Sequence, residues 1–153
     1  MTAGRQSVPG DGRVLVAFTG QTELWWLRWL RPGFRHCYAL IECESGWVIY
    51  NPASHRTEIR SIGCPALADL LDWLFADGAV VAAWRLSEVP NCMAPVRPFT
   101  CVEAVKRLLG LRAPGVFTPW QLYRHMSRSM EKTAKKEKKN LDKWKNTFNL
   151  SSQ

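Results

Sequence analysis

At 153 residues and 46% hydrophobic side chains, the chain has the length and composition of one globular domain with a substantial core, and no apolar run reaches the roughly 18 residues of a membrane span. Its five cysteines are an odd set without a Cys-x-x-Cys pair, which argues against a disulfide framework or zinc ribbon and for a reducing compartment. The net charge of +8 is uneven: from Arg124 onward nine Lys/Arg face three acids, whereas the preceding 123 residues carry twelve against ten.

Met1 to Arg13 is polar and Gly/Pro-rich and lacks the apolar core of a secretory signal, so a soluble, cytoplasmic or virion-associated protein is expected. Arg13–Thr19 is a short apolar run of strand formers ended by Gly20 and predicts a buried first strand. Thr22–Leu30 predicts a short helix capped by Thr22 and stopped by Pro32-Gly33. Its Trp25, Trp26 and Trp29 cannot all face one core. A wide buried stripe is the usual explanation for Leu and Trp at this spacing, with at least one indole on the rim of a cleft or interface.

Phe34–Cys43, a turn around Glu44-Ser45-Gly46, and Trp47–Asn51 predict a β-hairpin. With a two- or four-residue loop, Glu42 faces Trp47 and Tyr38 faces Asn51, which puts Asn51 and His55 on the side of His36; a three-residue loop puts Tyr50 there instead. Arg56–Ile62 predicts a third, half-exposed strand. Cys64-Pro65 opens a predicted helix with Pro65 in its first turn, Leu67, Leu70, Leu71, Leu74 and Phe75 on its apolar face, Asp69 and Asp72 in solvent and Gly78 as its stop. Ala79–Leu86 has almost no polar alternation and predicts a strand buried on both sides. Ser87–Phe99, with three prolines, predicts a loop.

The segment from Pro98 to Gly110 carries the sharpest signal. Thr100 is a predicted N-cap, Glu103 completes a capping box and Gly110 is a C-terminal stop. Cys101 is then the first helical residue, sharing its buried face with Ala104, Val105, Leu108 and Leu109, while Lys106 and Arg107 point away. A thiol at that address meets unpaired N–H groups and the positive end of the helix dipole, which favour the thiolate and can hold an oxyanion. Thr118-Pro119-Trp120-Gln121 is a second capped start, with Leu122, Tyr123 and Met126 inward. Beyond Arg128 apolar residues thin to Met130, Leu141, Trp144, Phe148 and Leu150, giving a solvated helix or a tail that orders on contact.

A histidine opening a hairpin, a polar residue on the returning strand, and later a cysteine at a capped helix start resemble the circularly permuted papain-like thiol hydrolases and transferases. That group includes the NlpC-type permuted peptidases and the lecithin:retinol acyltransferase-like proteins. Thr100-Cys101-Val102-Glu103-Ala104-Val105 followed by Thr118-Pro119-Trp120-Gln121-Leu122-Tyr123 is the closest match, and the likeness covers about Val14 to Met126. It implies an α+β fold, a small antiparallel β-sheet packed against helices, with a permuted papain-like domain over residues 1–126 and a basic helical or flexible tail over 127–153. It further implies Cys101 as nucleophile, His36 as general base and a polar residue orienting the imidazole. The family's usual position for that residue falls here on Val48, which is apolar; strand parity selects Asn51, with His55 second.

The resulting expectation is a cysteine hydrolase (peptidase or amidase) or acyltransferase that acts on an amide or ester through a thioester, with a peptide, peptidoglycan or acyl substrate and no cofactor. Trp25, Trp26 and Trp29 are expected to line an apolar acyl groove or a sugar-stacking platform. The rival expectation is a catalytically silent virion or assembly component that binds nucleic acid or another polyanion, or an anionic membrane, through Lys135, Lys136, Lys138 and Lys139. Small proteins of this kind occur among tailed-phage virion components. A metal site from His36, Cys37 and Cys43 with Cys64 or Cys92 fits no common zinc spacing, and none is expected.

Overall fold

The computed structural model describes residues 12–22, 24–53, 55–86 and 98–149, without the side chains of residues 137 and 140–149. The polar start, most of the Ser87–Phe99 loop with Cys92, and the side chains of Leu141, Trp144, Phe148 and Leu150 lie outside the described residues. The elements are β1 (Arg13–Thr19), β2 (His36–Cys43), β3 (Gly46–Pro52), β4 (Thr57–Ile62), α1 (Leu67–Ala76), β5 (Val80–Arg85), α2 (Cys101–Leu108) and α3 (Pro119–Asn149), with a 3-10 turn at Trp25–Trp29 between β1 and β2. The strands form one antiparallel sheet in the order β4-β3-β2-β1-β5. The fold is thus α+β, a small sheet packed against helices.

β1 lies inside the sheet, and its unbroken apolar run is buried on both faces. On one face Val14, Val16 and Phe18, with Cys37 and Ala39 of β2, meet Val102, Val105 and Leu109 of α2 and Leu122 and Met126 of α3. On the other, Leu15, Ala17, Leu40, Trp47 and Ile49 meet Leu70 and Leu74 of α1. Each of these large side chains contributes about 1.5–3 kcal/mol by leaving water. The sheet is therefore the middle of three layers.

The β2–β3 register pairs Glu42 with Trp47 and Ala39 with Tyr50 across a two-residue turn, so Asn51 falls on the His36 side. Gly46 makes this hairpin possible: its φ is +123°, and a Cβ there would stand 2.1 Å from the Gly63 carbonyl oxygen.

Four expectations are corrected. The helix capped by Thr22 is a five-residue 3-10 turn whose N-cap is Leu24; Thr22 Oγ1 instead accepts the Leu24 N–H at 3.2 Å. No residue of the turn is buried, so the wide buried stripe does not form. Both faces of the sheet are already covered, so the connection between these adjacent strands has no open sheet surface on which to pack a helix. The second helix begins at Leu67, after Pro65, with Leu70 and Leu74 buried but Leu67 and Phe75 exposed.

The strand expected to be buried on both sides, β5, is an edge strand that pairs only with β1, and Ala83 and Arg85 are exposed. Its small alanines imitate a buried run without needing one. Lastly, Lys106 does not point away: it is 4% exposed, with Nζ 2.9 Å from Glu103 Oε2 and 3.2 Å from the Val116 carbonyl. The loop from Leu111 to Thr118 closes over that flank of α2, and a buried carboxylate requires a buried cation.

α2 begins at its expected N-cap, but only half of the expected capping box forms. Thr100 Oγ1 accepts the Glu103 N–H at 3.2 Å, while the Glu103 carboxylate, in place of reaching back to the cap, is engaged by Lys106 and by Arg107 Nε at 3.2 Å. Gly110, at φ +66°, ends it in a Schellman motif, donating to Arg107 O while Leu111 donates to Lys106 O. At α3 the capping box is complete: Gln121 N–H donates to Thr118 Oγ1, and Gln121 Oε1 accepts from the N–H groups of Thr118 and Phe117. α3 then runs unbroken through the basic segment to Asn149.

Candidate active site

α2 packs on β2 and β3, so its first residue, Cys101, sits where β2 begins. There the sulfur meets two neighbours in the chain, the Cys37 thiol and backbone N–H, and the His36 ring. These contacts lower the Cys101 pKa to about 4. The hydrogen bond from the Cys37 thiol is the largest cause; burial opposes it; the hydrogen bond and positive charge of His36 and the Cys37 N–H reinforce it. Cys37 responds in the opposite sense. It is fully buried, and burial together with the neighbouring Cys101 sulfur pushes its thiol well up. Of the two coupled thiols, Cys101 therefore carries the charge and Cys37 keeps its proton as the donor.

His36 is held from its far side. Its Nε2 lies 2.7 Å from Asn51 Oδ1 on β3. The Asn51 amide is oriented in turn: Nδ2 donates to Glu58 Oε2 at 3.4 Å, and Asn51 and Glu58 are direct cross-strand partners. With Nδ2 turned to a carboxylate, Oδ1 is the atom presented to the imidazole, so Nε2 carries the ring proton. Nδ1 is then the nitrogen left for the Cys101 thiol. Arg60 completes the row, 3.1 Å from Glu58. The ring of Tyr38 stacks on His36 with centroids 6.3 Å apart and planes 26° from parallel. Burial and the nearby Asp77 carboxylate raise the Tyr38 pKa, which keeps this phenol neutral.

The three residues singled out from the sequence thus come together, in the order Cys101, His36, Asn51. His55 does not occupy the third place, because Asn51 takes Nε2; it lies exposed in the β3–β4 connection. Sequence reasoning missed Cys37 and Glu58. The second was within reach, since the hairpin parity that selected Asn51, carried one strand further, places Glu58 opposite it. Cys37 gave no such signal, because strand alternation assigns it to the face away from His36.

Trp25, Trp26 and Trp29 stand clear of the core, 74%, 54% and 88% exposed, on the connection that leads into His36. Lys135, Lys136, Lys138 and Lys139 are all exposed on α3. Nearer its start, Gln121, Arg124, His125, Arg128 and Lys132 line an open groove of about 330 Å³ against Val116. Among the described residues no group of three or more His, Cys, Asp or Glu side chains is placed to hold a metal ion, and no helix is long and apolar enough to cross a membrane.

No family model, curated protein or solved structure matches this chain.

Proposed function

We propose that the protein is a cysteine-dependent hydrolase of an amide or ester, related to the permuted papain-like enzymes. The observation that carries this reading is the continuous row from the Cys101 sulfur through His36 to the Asn51 amide. Cys101 supplies the thiolate and His36 holds its proton on Nδ1. The thiolate attacks the substrate carbonyl carbon, and negative charge collects on the carbonyl oxygen. The Cys101 N–H, at the first turn of α2, faces that charge with the helix dipole behind it. Collapse to the thioester expels the amine or alcohol, which takes the proton from His36. Water, deprotonated by His36, then attacks the thioester, releases the acid and restores the thiolate beside protonated His36. Asn51 keeps the ring in the tautomer that both proton transfers need. The carbonyl acted on belongs to a peptide, a peptidoglycan stem peptide or an acyl ester.

Two measurements test the proposal. Alkylation of Cys101 by iodoacetamide, followed on its own peptide by mass spectrometry, is expected to persist at mildly acid pH and to fall off only as pH drops toward about 4. In His36→Ala the midpoint should rise by about 1–3 pH units. With p-nitrophenyl acetate, the wild type should give a burst of p-nitrophenolate equal to the enzyme present, and Cys101→Ser none. A wild-type midpoint near the free-thiol value of about 8.5, without a burst, sinks the proposal.

A second reading has one observation in its favour. The exposed lysines of α3 and the groove with Arg124, Arg128 and Lys132 at its start present basic side chains suited to a polyanion such as nucleic acid, or to an anionic face of an assembly. Binding through it should weaken steeply with salt.

A further inference from the structure

We infer that the Trp25–Trp29 turn is a docking element for the surface of an anionic lipid bilayer, independent of any thiol chemistry. Three tryptophans in five residues remain in water, although indole burial is among the largest apolar gains a chain can make. In a 3-10 turn, residues three apart align, so Trp26 and Trp29 form one ridge and Trp25 and Arg28 the next. The result is a compact apolar patch with guanidinium at its edge.

This turn is built rather than frayed. Arg35 donates through Nη1 to Gly20 O at 3.3 Å and through Nη2 to Arg28 O at 3.5 Å, tying the start of the connection and the turn itself to the residue before β2. Phe34 N–H donates to Arg31 O at 2.9 Å, and the Phe34 ring packs on Trp120 and Tyr123 of α3. The Arg31 guanidinium lies 3.8 Å over the Trp120 ring. The fold thus presents the indoles outward from a clamped base.

Charge selects the occupant. From Gln21 to Arg35 the sequence holds Arg28, Arg31 and Arg35 against the one acid Glu23, a local excess of two positive charges, with Arg28 exposed on the turn itself. Indoles prefer the headgroup zone of a bilayer, where one side is apolar and the other wet, and guanidinium pairs with lipid phosphate. A sugar platform needs carboxylate or amide side chains beside the rings to meet hydroxyl groups; the Trp25–Trp29 turn carries none, and the Gln21 amide before it is turned to Asp77 at 3.5 Å. Because the connection ends at Arg35, the residue before His36, a docked turn holds the candidate active site against the membrane surface.

The test is co-sedimentation of the full chain with phosphatidylcholine–phosphatidylglycerol vesicles and with pure phosphatidylcholine. Binding is expected to the anionic vesicles and to fall by about tenfold or more in Trp26→Ala/Trp29→Ala. Cys101→Ser should bind as the wild type does, so failure of the thiol chemistry leaves this result untouched. Trp26→Phe/Trp29→Phe, which keeps the apolar bulk, should recover part of the loss and guards against misfolding of the alanine variant. Quenching of tryptophan emission by brominated acyl chains should be absent from the alanine variant, which no longer docks, and reduced in the phenylalanine variant, where Trp25 is the one indole left on the turn. Full-strength binding by the alanine variant, as the basic helix alone would give, overturns the inference. So does failure of the wild type to bind anionic vesicles, or release from them by soluble peptidoglycan fragments.

Discussion

α2 and α3 start with the same device and become different things. Each has a threonine cap that accepts an N–H from three residues on, and each projects a free first turn. At α3 the first helical residues are Pro119 and Trp120, and the indole packs on Phe34 and under Arg31. At α2 the first residue is Cys101, set against a thiol, a backbone N–H and an imidazole. A helix start is therefore a general source of positive potential, and it becomes a site only when a group able to respond stands on it and a proton acceptor stands opposite.

The flanks differ as well. Glu103 of α2 is buried with Lys106, and although burial acts to raise its pKa, hydrogen bonds and charge from Lys106 and Arg107 outweigh it and leave the carboxyl below its ordinary value. Because the folded pKa is lowered, the stabilisation is present above the unfolded carboxyl range and is lost as pH falls through the folded value. The largest effect should come from breaking this pair. Lys106→Met leaves a buried carboxylate with only Arg107 and should cost about 3 kcal/mol in urea unfolding at neutral pH. The deficit should shrink in acid, where Glu103 is protonated in both proteins. A pH-independent deficit would mean that Lys106 matters through packing alone.

Cys37 allows a sharper separation. Cys37→Ala removes the strongest support of the Cys101 thiolate and should move the alkylation midpoint upward from about 4, while Cys37→Ser retains a donor and should move it less. Equal shifts would point to relaxation of the helix start in place of a lost hydrogen bond. The smallest effect returns to the two caps. Thr100→Ala and Thr118→Ala should each cost about 1 kcal/mol of stability. Only Thr100→Ala should also slow Cys101 alkylation at acid pH; an equal effect from Thr118→Ala would erase the distinction between the two helix starts.

Much of this was legible before any coordinates. The caps at Thr100 and Thr118 were readable because capping is local, set by side chains three residues apart. Asn51 was readable because strand parity converts sequence position into a face once the turn length is set. Three features resisted, each because tertiary context decided it. Lys106 looked like a surface charge until the loop after α2 covered it. Cys37 was assigned to the face away from His36, and only the seating of α2 over the start of β2 lets one sulfur touch both. The tryptophan turn looked like a helix with a core to meet, and nothing local revealed that both faces of the sheet were already taken.

The length of α3 has a mechanical consequence. Met126 is its last fully buried side chain among the described residues, and a helix rising 1.5 Å per residue from there to Asn149 extends about 35 Å. Whatever grips the far end holds the body at a stand-off of that length. On the proposed hydrolase reading, an anchored helix would serve as a ruler, setting which carbonyls fall within reach of the sulfur by their distance from the anchoring point.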